Sequence, residues 1–439
     1  MTDLHLSLAA APDQASFPAD GGSVRHLVAH LAARRKDDRR PAERQPVNIA
    51  LVIDVSSSMS GGKLGAAQQA ALGLASRLDD RDRLSLVSFA SDVAVHLDGV
   101  AAGAANGERI RDEILGLATR GMTNLSDGWF AGVHCAAQVA ERHPRLSPRV
   151  ILLSDGHANQ GITDRGELCE HAGELRLRGV QSSALGIGDG YDEQLLRGIA
   201  ENGAGRLHDA ELDHEISSVL LGELEDIFGT LADDAWVEIE VPASVGVELL
   251  GTGQVQREGA VTRVAIGPVQ NAVERVAVFR LVCPRAAPGD RLTCRLRAGG
   301  RATDDGSALA ASPVTVEFIA ADGGRGQHHP RDAGIAATVA RHWSAHVAAT
   351  TARLNRDGAH AEAQRYVEAQ LAQFRRYAQG LEGGPDWIGD LELLARRAAH
   401  AFSPRMGKEL ALQSQLFLQG RADRRGEKES WRKRMERGD

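Results

Sequence analysis

The run VNIALVID, residues 47–54, is apolar at nearly every position and ends on a carboxylate. A strand that is apolar on both faces belongs inside a parallel sheet. A helical period follows at once, because KLGAAQQAALGLASRL (63–78) sets Leu64, Ala67, Ala71, Leu74 and Leu78 on one face. DRLSLVSFA (82–90) and DVAVHL (92–97) read as strands joined by a tight turn, the second an antiparallel edge strand. A helix near 107–117 comes next, then the loop TRGMTNLSDG, a helix over 129–142 and the strand RVILLSD (149–155). Asp164, with Glu167 three residues on, caps a helix that runs to about Leu177. Beyond it lie a strand (180–188), a helix (191–202), the short strand GRLHDA and a helix (213–229). Repeated β-α-β units predict an α/β fold, a doubly wound and mostly parallel sheet with helices on both faces. This unit is expected over 46–231.

The pattern changes near residue 233. Over 232–322 alternating apolar and polar positions, punctuated by Gly, Pro and Asp, predict an antiparallel β domain of sandwich type. LHLSLAA and SVRHLVAHLAA, within residues 1–45, have the same character. They are expected to pair with that later domain, leaving the α/β unit as an insertion. Helix formers dominate 323–439, which predicts a helical C-terminal region. Its last stretch, GRADRRGEKESWRKRMERGD, mixes both charges at high density and is expected to fray in solvent, with a basic partner-binding tail as the alternative.

A chain of 439 residues accommodates two or three domains. With 43% hydrophobic but only 4% aromatic residues, aliphatic side chains must fill the cores. The formal net charge of -8 argues against a nucleic-acid partner. No stretch approaches the ~18 uninterrupted apolar residues of a membrane span, and no basic segment precedes an apolar leader. A cytoplasmic protein is the expectation. The four cysteines, without a CxxC among them, are expected to be reduced thiols.

The chemistry sits at strand ends. In a doubly wound sheet, ligands bind beyond the carboxyl ends of the strands, where the strand order reverses. Asp54 ends the first α/β strand and Asp155 ends RVILLSD; in the order 3-2-1-4-5-6 these strands are neighbours and their carboxylates share one crevice. Ser56 and Ser58 follow Asp54, and Thr123 lies in the loop GMTNLSDG. Two carboxylates and three hydroxyls form a set of hard oxygen donors without sulfur or imidazole. That set suits Mg2+, with Mn2+ or Ca2+ less favoured, and does not suit zinc. Ser57 is expected to point away, and Gly61 and Gly62 to serve the turn.

These residues resemble the metal-ion-dependent adhesion site (MIDAS) of the von Willebrand factor type A (VWA) domain, found in integrin I domains and many intracellular bacterial proteins. Its motif, D-x-S-x-S with a distant T and a distant D, is matched by Asp54, Ser56 and Ser58 in DVSSS, Thr123 in GMTNL and Asp155 in LLSDG. The resemblance covers roughly residues 45–230. It implies a protein-binding module without catalysis, in which a partner protein's Glu or Asp completes the metal's coordination. The flanking β segments are distantly similar to inter-alpha-trypsin inhibitor heavy chains. Bacterial members suggest as partner an AAA+ ATPase of the MoxR type, or a component of a signalling or defence system.

Competing readings are weaker. A metal-dependent phosphohydrolase would need a general base near the ion, for which only Asp127 and His157 are at hand in the motif loops. His342 and His346 stand one helical turn apart, but Trp343 takes the place of the glutamate that a zinc protease requires. Packed or solvated histidines are expected there. No G-x-S-x-G elbow or P-loop occurs. A self-assembling structural module built on the helical C-terminus is the third reading.

Overall fold

The computed structural model describes residues 4–35, 44–156, 158–251, 253–322, 330–420 and 431–437. Among the described residues three strands come first: β1 (Leu4–Pro12), β2 (Ser16–Pro18) and β3 (Val24–Arg35). The α/β unit follows as β4 (Asn48–Asp54), α1 (Lys63–Ala75), β5 (Arg83–Phe89), β6 (Val93–Ala101), α2 (Gly107–Leu115) and α3 (Leu125–Arg142). It continues through β7 (Pro148–Ser154), α4 (Arg165–Leu177), β8 (Gln181–Ile187), α5 (Glu193–Asn202), β9 (Ala204–Ala210) and α6 (Asp213–Gly229).

The sheet order of this unit is β6-β5-β4-β7-β8-β9, the 3-2-1-4-5-6 arrangement. Every pairing is parallel except that of the edge strand β6 with β5. β4 is central and wholly buried, as a strand apolar on both faces must be. Ile49, Leu51 and Ile53 meet α1, α2 and α6 on one side. Ala50 and Val52 face α3 and its neighbours α4 and α5 on the other. The smaller side chains on that face let α3 approach closely: a Cβ on Gly132 would lie 2.2 Å from Val52 Cγ2. α3 starts at Leu125, four residues before the expected 129, because the Asn124 side chain accepts the Asp127 N–H and caps it.

A second body is all β. It comprises β10 (Thr230–Glu240), β11 (Gly246–Leu249), β12 (Val255–Glu258), β13 (Val261–Gln270), β14 (Arg275–Val282), β15 (Arg291–Ala302), β16 (Ala308–Ala310) and β17 (Val314–Ala321). One sheet has the order β1-β3-β14-β11, the other β12-β13-β10-β15-β17-β2 with β16 on β15. β3 pairs antiparallel with β14 from Val24↔Val282 to Leu31↔Arg275, and β2 pairs parallel with β17. The two sheets enclose one core, with Leu27, Leu31 and Phe279 from the first and Ile239, Leu296 and Phe318 from the second. The α/β unit is therefore inserted, in sequence, between strands of a single sandwich. Cys283 and Cys294 are buried here as free thiols.

Among the described residues five helices follow: α7 (Ala333–Arg356), α8 (His360–Ala378), α9 (Gly384–Arg397), α10 (Pro404–Leu418) and α11 (Trp431–Arg437). The period-2 alternation of β3 and β14 turns Val28 and Val278 outward, where they join Val339, Trp343 and Val347 of α7 in one cluster. His342 and His346 are packed in this region. His342 lies 5.2 Å, ring to ring, from Phe417, and His346 Nδ1 bonds the Gly251 carbonyl at 3.0 Å. The tail departs from expectation: Trp431–Arg437 is a helix docked through buried Met435 and an Arg432–Asp390 ion pair of 3.0 Å. Met435, with Trp431 packed half-buried against the same cluster, found a place to bury despite the surrounding charge. Residues 421–430 and 438–439 of that stretch lie outside the described residues.

Candidate metal centre

β4 and β7 are hydrogen-bonded neighbours, so the chain following each emerges at the same edge of the sheet. Asp54 is the last residue of β4 and is fully buried. Its Oδ1 accepts the Ser56 N–H at 2.8 Å and its Oδ2 accepts Ser154 Oγ at 2.7 Å. Ser56 Oγ lies 2.9 Å from Ser58 Oγ. Ser58 Oγ in turn donates to Asp155 Oδ1 at 2.6 Å. Thr123 arrives on the loop before α3, with its carbonyl accepting the N–H groups of Asn159 and Gln160 at 3.0 and 3.2 Å. Gly156 sits between the loops: a Cβ there would lie 3.5 Å from Thr123 Oγ1 and 3.7 Å from Ser58 Oγ.

All five residues singled out in the sequence thus converge, from three loops. Asp54, Ser56, Thr123 and Asp155 are buried, whereas Ser58 is exposed. The cluster has a closed floor and an open side. Ser57 points away, donating Oγ to the Gly121 carbonyl at 2.9 Å. Gly61 and Gly62 take φ of 77° and 112° in the turn before α1, where a Cβ would be strained.

Burial raises the pKa of the Asp54 carboxyl, and the Asp155 charge adds to the rise, while bonds from Ser56 and Ser154 oppose it. Two facing carboxylates in a desolvated pocket are a standing demand for a cation. Among the described residues no group of three or more His, Cys, Asp and Glu is placed to hold a metal ion. The donors are therefore two carboxylates completed by hydroxyls, which could hold a hard divalent ion and offer nothing to a soft one.

Two contributors were not among the expected residues. Ser154 fixes Asp54, and Lys63, the first residue of α1, places Nζ 2.5 Å from Asp155 Oδ2. The signals available were small: a hydroxyl just before the second aspartate, and a lysine at the start of the first helix. Asp127 is exposed and bonds Asn124 Nδ2 at 2.7 Å; His157 lies outside the described residues.

A further layer comes from the C-terminal helices. The loop between β8 and α5 abuts the site, with Asp192 N–H directed at the Gly156 carbonyl at 3.5 Å. Lys408 of α10 grips that loop, donating to the carbonyls of Asp189 at 2.7 Å and Tyr191 at 3.3 Å. Arg405 pairs with Asp209 at 2.8 Å and Glu409 at 3.1 Å.

Comparison with known proteins bears on the fold that carries this cluster. Residues 48–218 match the family model of the von Willebrand factor type A domain. The uncharacterized protein sll0103 of Synechocystis sp. is 31% identical over 308 residues, covering 66% of this chain and 68% of that one. Inter-alpha-trypsin inhibitor heavy chain H3 of Rattus norvegicus is 31% identical over 208 residues, which is 46% of this chain but only 23% of the heavy chain. Among solved structures, a von Willebrand factor type A protein from Catenulispora acidiphila superposes with a TM-score of 0.68 at 16% identity, covering 94% of this chain and 97% of that one. The ArnB paralog VWA2 from Sulfolobus acidocaldarius gives 0.55 at 14% identity, with 94% and 98% covered. At such identities the structural likeness speaks to the fold. The relative from Synechocystis and the matched domain model together establish that the chain belongs to the von Willebrand factor type A domain family.

Proposed function

We propose that this protein is a metal-dependent protein-binding adaptor, which docks an acidic side chain of a partner protein onto Mg2+ held by Asp54, Ser56, Ser58, Thr123 and Asp155. Domains of this family generally mediate metal-dependent protein-protein interaction. The observation that carries the reading is the position of Ser58 Oγ, 2.9 Å from Ser56 Oγ and 2.6 Å from Asp155 Oδ1 at the exposed side of an otherwise buried donor set. A bound Mg2+ would supply a Lewis-acidic centre for an incoming carboxylate. The chain's own residues do the rest: Ser154 and the Ser56 N–H orient Asp54, and the buried floor limits water to the open side. Mg2+ prefers oxygen ligands and retains waters, so a set of short hydroxyls and two carboxylates leaves a coordination position for a partner.

In this reading the protein binds without catalysing. Its partner supplies Glu or Asp, and the classes suggested by bacterial members are a MoxR-type AAA+ ATPase and a component of a signalling or defence system. A cytoplasmic setting accords with four free thiols; no described helix is long and apolar enough to cross a membrane. The test is calorimetric titration of Mg2+ into the native chain and Asp54→Ala, followed by partner capture with and without EDTA. The reading requires Mg2+ affinity that disappears with Asp54; equal affinities would remove its basis.

A further inference from the structure

Lys63 is the first residue of α1, and a helix N-terminus is a poor place for a cation, since it adds to the positive end of the helix dipole. No acidic side chain in the first turn compensates. What the ammonium does have is the donor cluster: Nζ donates to Asp155 Oδ2 at 2.5 Å and to the Ser58 carbonyl at 3.4 Å. The other oxygen of Asp155 accepts Ser58 Oγ at 2.6 Å. Both oxygens of this fully buried carboxylate are therefore engaged, one by a candidate metal ligand and one by a whole positive charge.

We propose that Lys63 is a resident counter-ion of the acidic cluster and competes with the divalent cation for Asp155. The inference rests on the Mg2+ reading above and adds to it a built-in threshold for metal binding. A cation held by Asp155 and an ammonium on the same carboxylate would stand a few ångströms apart, where like charges repel strongly because little water screens them. One must leave, and Lys63 is able to. A third of its side chain is exposed, at 33%, while that of Asp155 is at 0%, and its stem is long and flexible. Gly188 is its neighbour, and even a Cβ there would make only ordinary contact with Nζ, at 3.9 Å. Exposed Asp213 lies beside the start of α1, its Oδ2 2.9 Å from where a Cβ on Gly62, the residue before Lys63, would be. Lysine release and metal entry are thus two sides of one exchange on Asp155. The metal must outbid a charge the chain already carries.

The experiment is titration of MgCl2 into the EDTA-stripped full chain as wild type, Lys63→Met, Lys63→Gln and Asp54→Ala, with a melting curve of each with and without metal. Loss of the lysine charge is expected to tighten Mg2+ binding by about tenfold, equivalent to about 1.4 kcal/mol. The metal-free Lys63 variants should melt below wild type, and Mg2+ should raise their melting temperature by more than it raises that of wild type. Unchanged or weaker binding in both Lys63 variants, with binding still lost in Asp54→Ala, defeats the lysine proposal and leaves the metal reading standing. Binding by the Lys63 variants alone supports the proposal in its strongest form. Absence of binding in every form defeats both.

Discussion

Ser154 and Asp54, one hundred positions apart, are joined by a 2.7 Å hydrogen bond in which the serine hydroxyl donates to Asp54 Oδ2. The Ser56 N–H holds the other oxygen, so each oxygen of a buried carboxylate is held by one hydrogen bond and the group's orientation is fixed before any ligand arrives. Groups that orient a metal ligand typically contribute about 10–100-fold in affinity. Under the proposed function, Ser154→Ala is accordingly expected to weaken Mg2+ binding about tenfold while the chain stays folded. Calorimetry beside a circular-dichroism spectrum checks this. An affinity equal to wild type would show that the bond orients nothing.

The contrast between Asp54 and Ser154 also marks what the residues disclose before folding. Asp54 is legible because an apolar run must be a central strand, and its terminal carboxylate must then stand at the sheet's switch point. The same reasoning places Asp155, and the order β6-β5-β4-β7-β8-β9 agrees with it. Ser154 is hidden because a hydroxyl at a strand end has many local uses, and only the register of β7 against β4 aims it at Asp54. Lys63 is hidden for a related reason: a lysine in a first helical turn reads as a solvated charge until a buried acid is found in reach. The helical region was legible as helices, but its grip on the β8 to α5 loop through Lys408 depends on contacts between residues over two hundred positions apart, which no local period encodes.

The pairing of α10 with the α/β unit invites a test of coupling. Arg405 is 11% exposed and stands between Asp209, at 3%, and Glu409, at 0%. Removing the cation leaves these carboxylates buried together, a change that typically destabilises by about 3–5 kcal/mol. Arg405→Met is expected to lower the melting temperature and to split a single calorimetric transition in two as the helices separate from the sheet. Asp209→Asn in the same background should restore part of the loss. A single transition at the wild-type temperature would show that the ion pairs do not carry the interface.

Two glycines give opposite expectations for one substitution. Gly132 of α3 faces β4, and a Cβ there would stand 2.2 Å from Val52 Cγ2. Gly132→Ala should therefore destabilise by about 1–3 kcal/mol through overpacking. Gly65, in α1, has nothing within 4 Å of its Cβ position. Gly65→Ala should stabilise by about 0.5–1 kcal/mol, because alanine loses less backbone entropy in a helix. Urea midpoints of the two variants, moving apart from wild type in opposite directions, are the expected record.

His342 supplies a pH dependence with a definite sign. Burial lowers its pKa from 6.5 to about 4, helped by the charge of Arg341. The folded chain keeps the ring neutral until pH 4, whereas the unfolded chain takes up the proton near 6.5. Between those values the unfolded state binds more protons, so stability falls as the pH is lowered through that window and levels off below it. The full effect of one such histidine is about 3 kcal/mol. Burial shifts His346 the same way, with its bond to Gly251 opposing, so it adds a share that a His342 substitution leaves in place. His342→Met keeps a similar apolar volume beside Phe417 without a titrating group. Its urea midpoint should fall less steeply than that of wild type between pH 6.5 and 4, and the two profiles should run parallel above pH 7. Identical slopes in the acid window would mean that the ring at 342 is not the group held neutral by the fold.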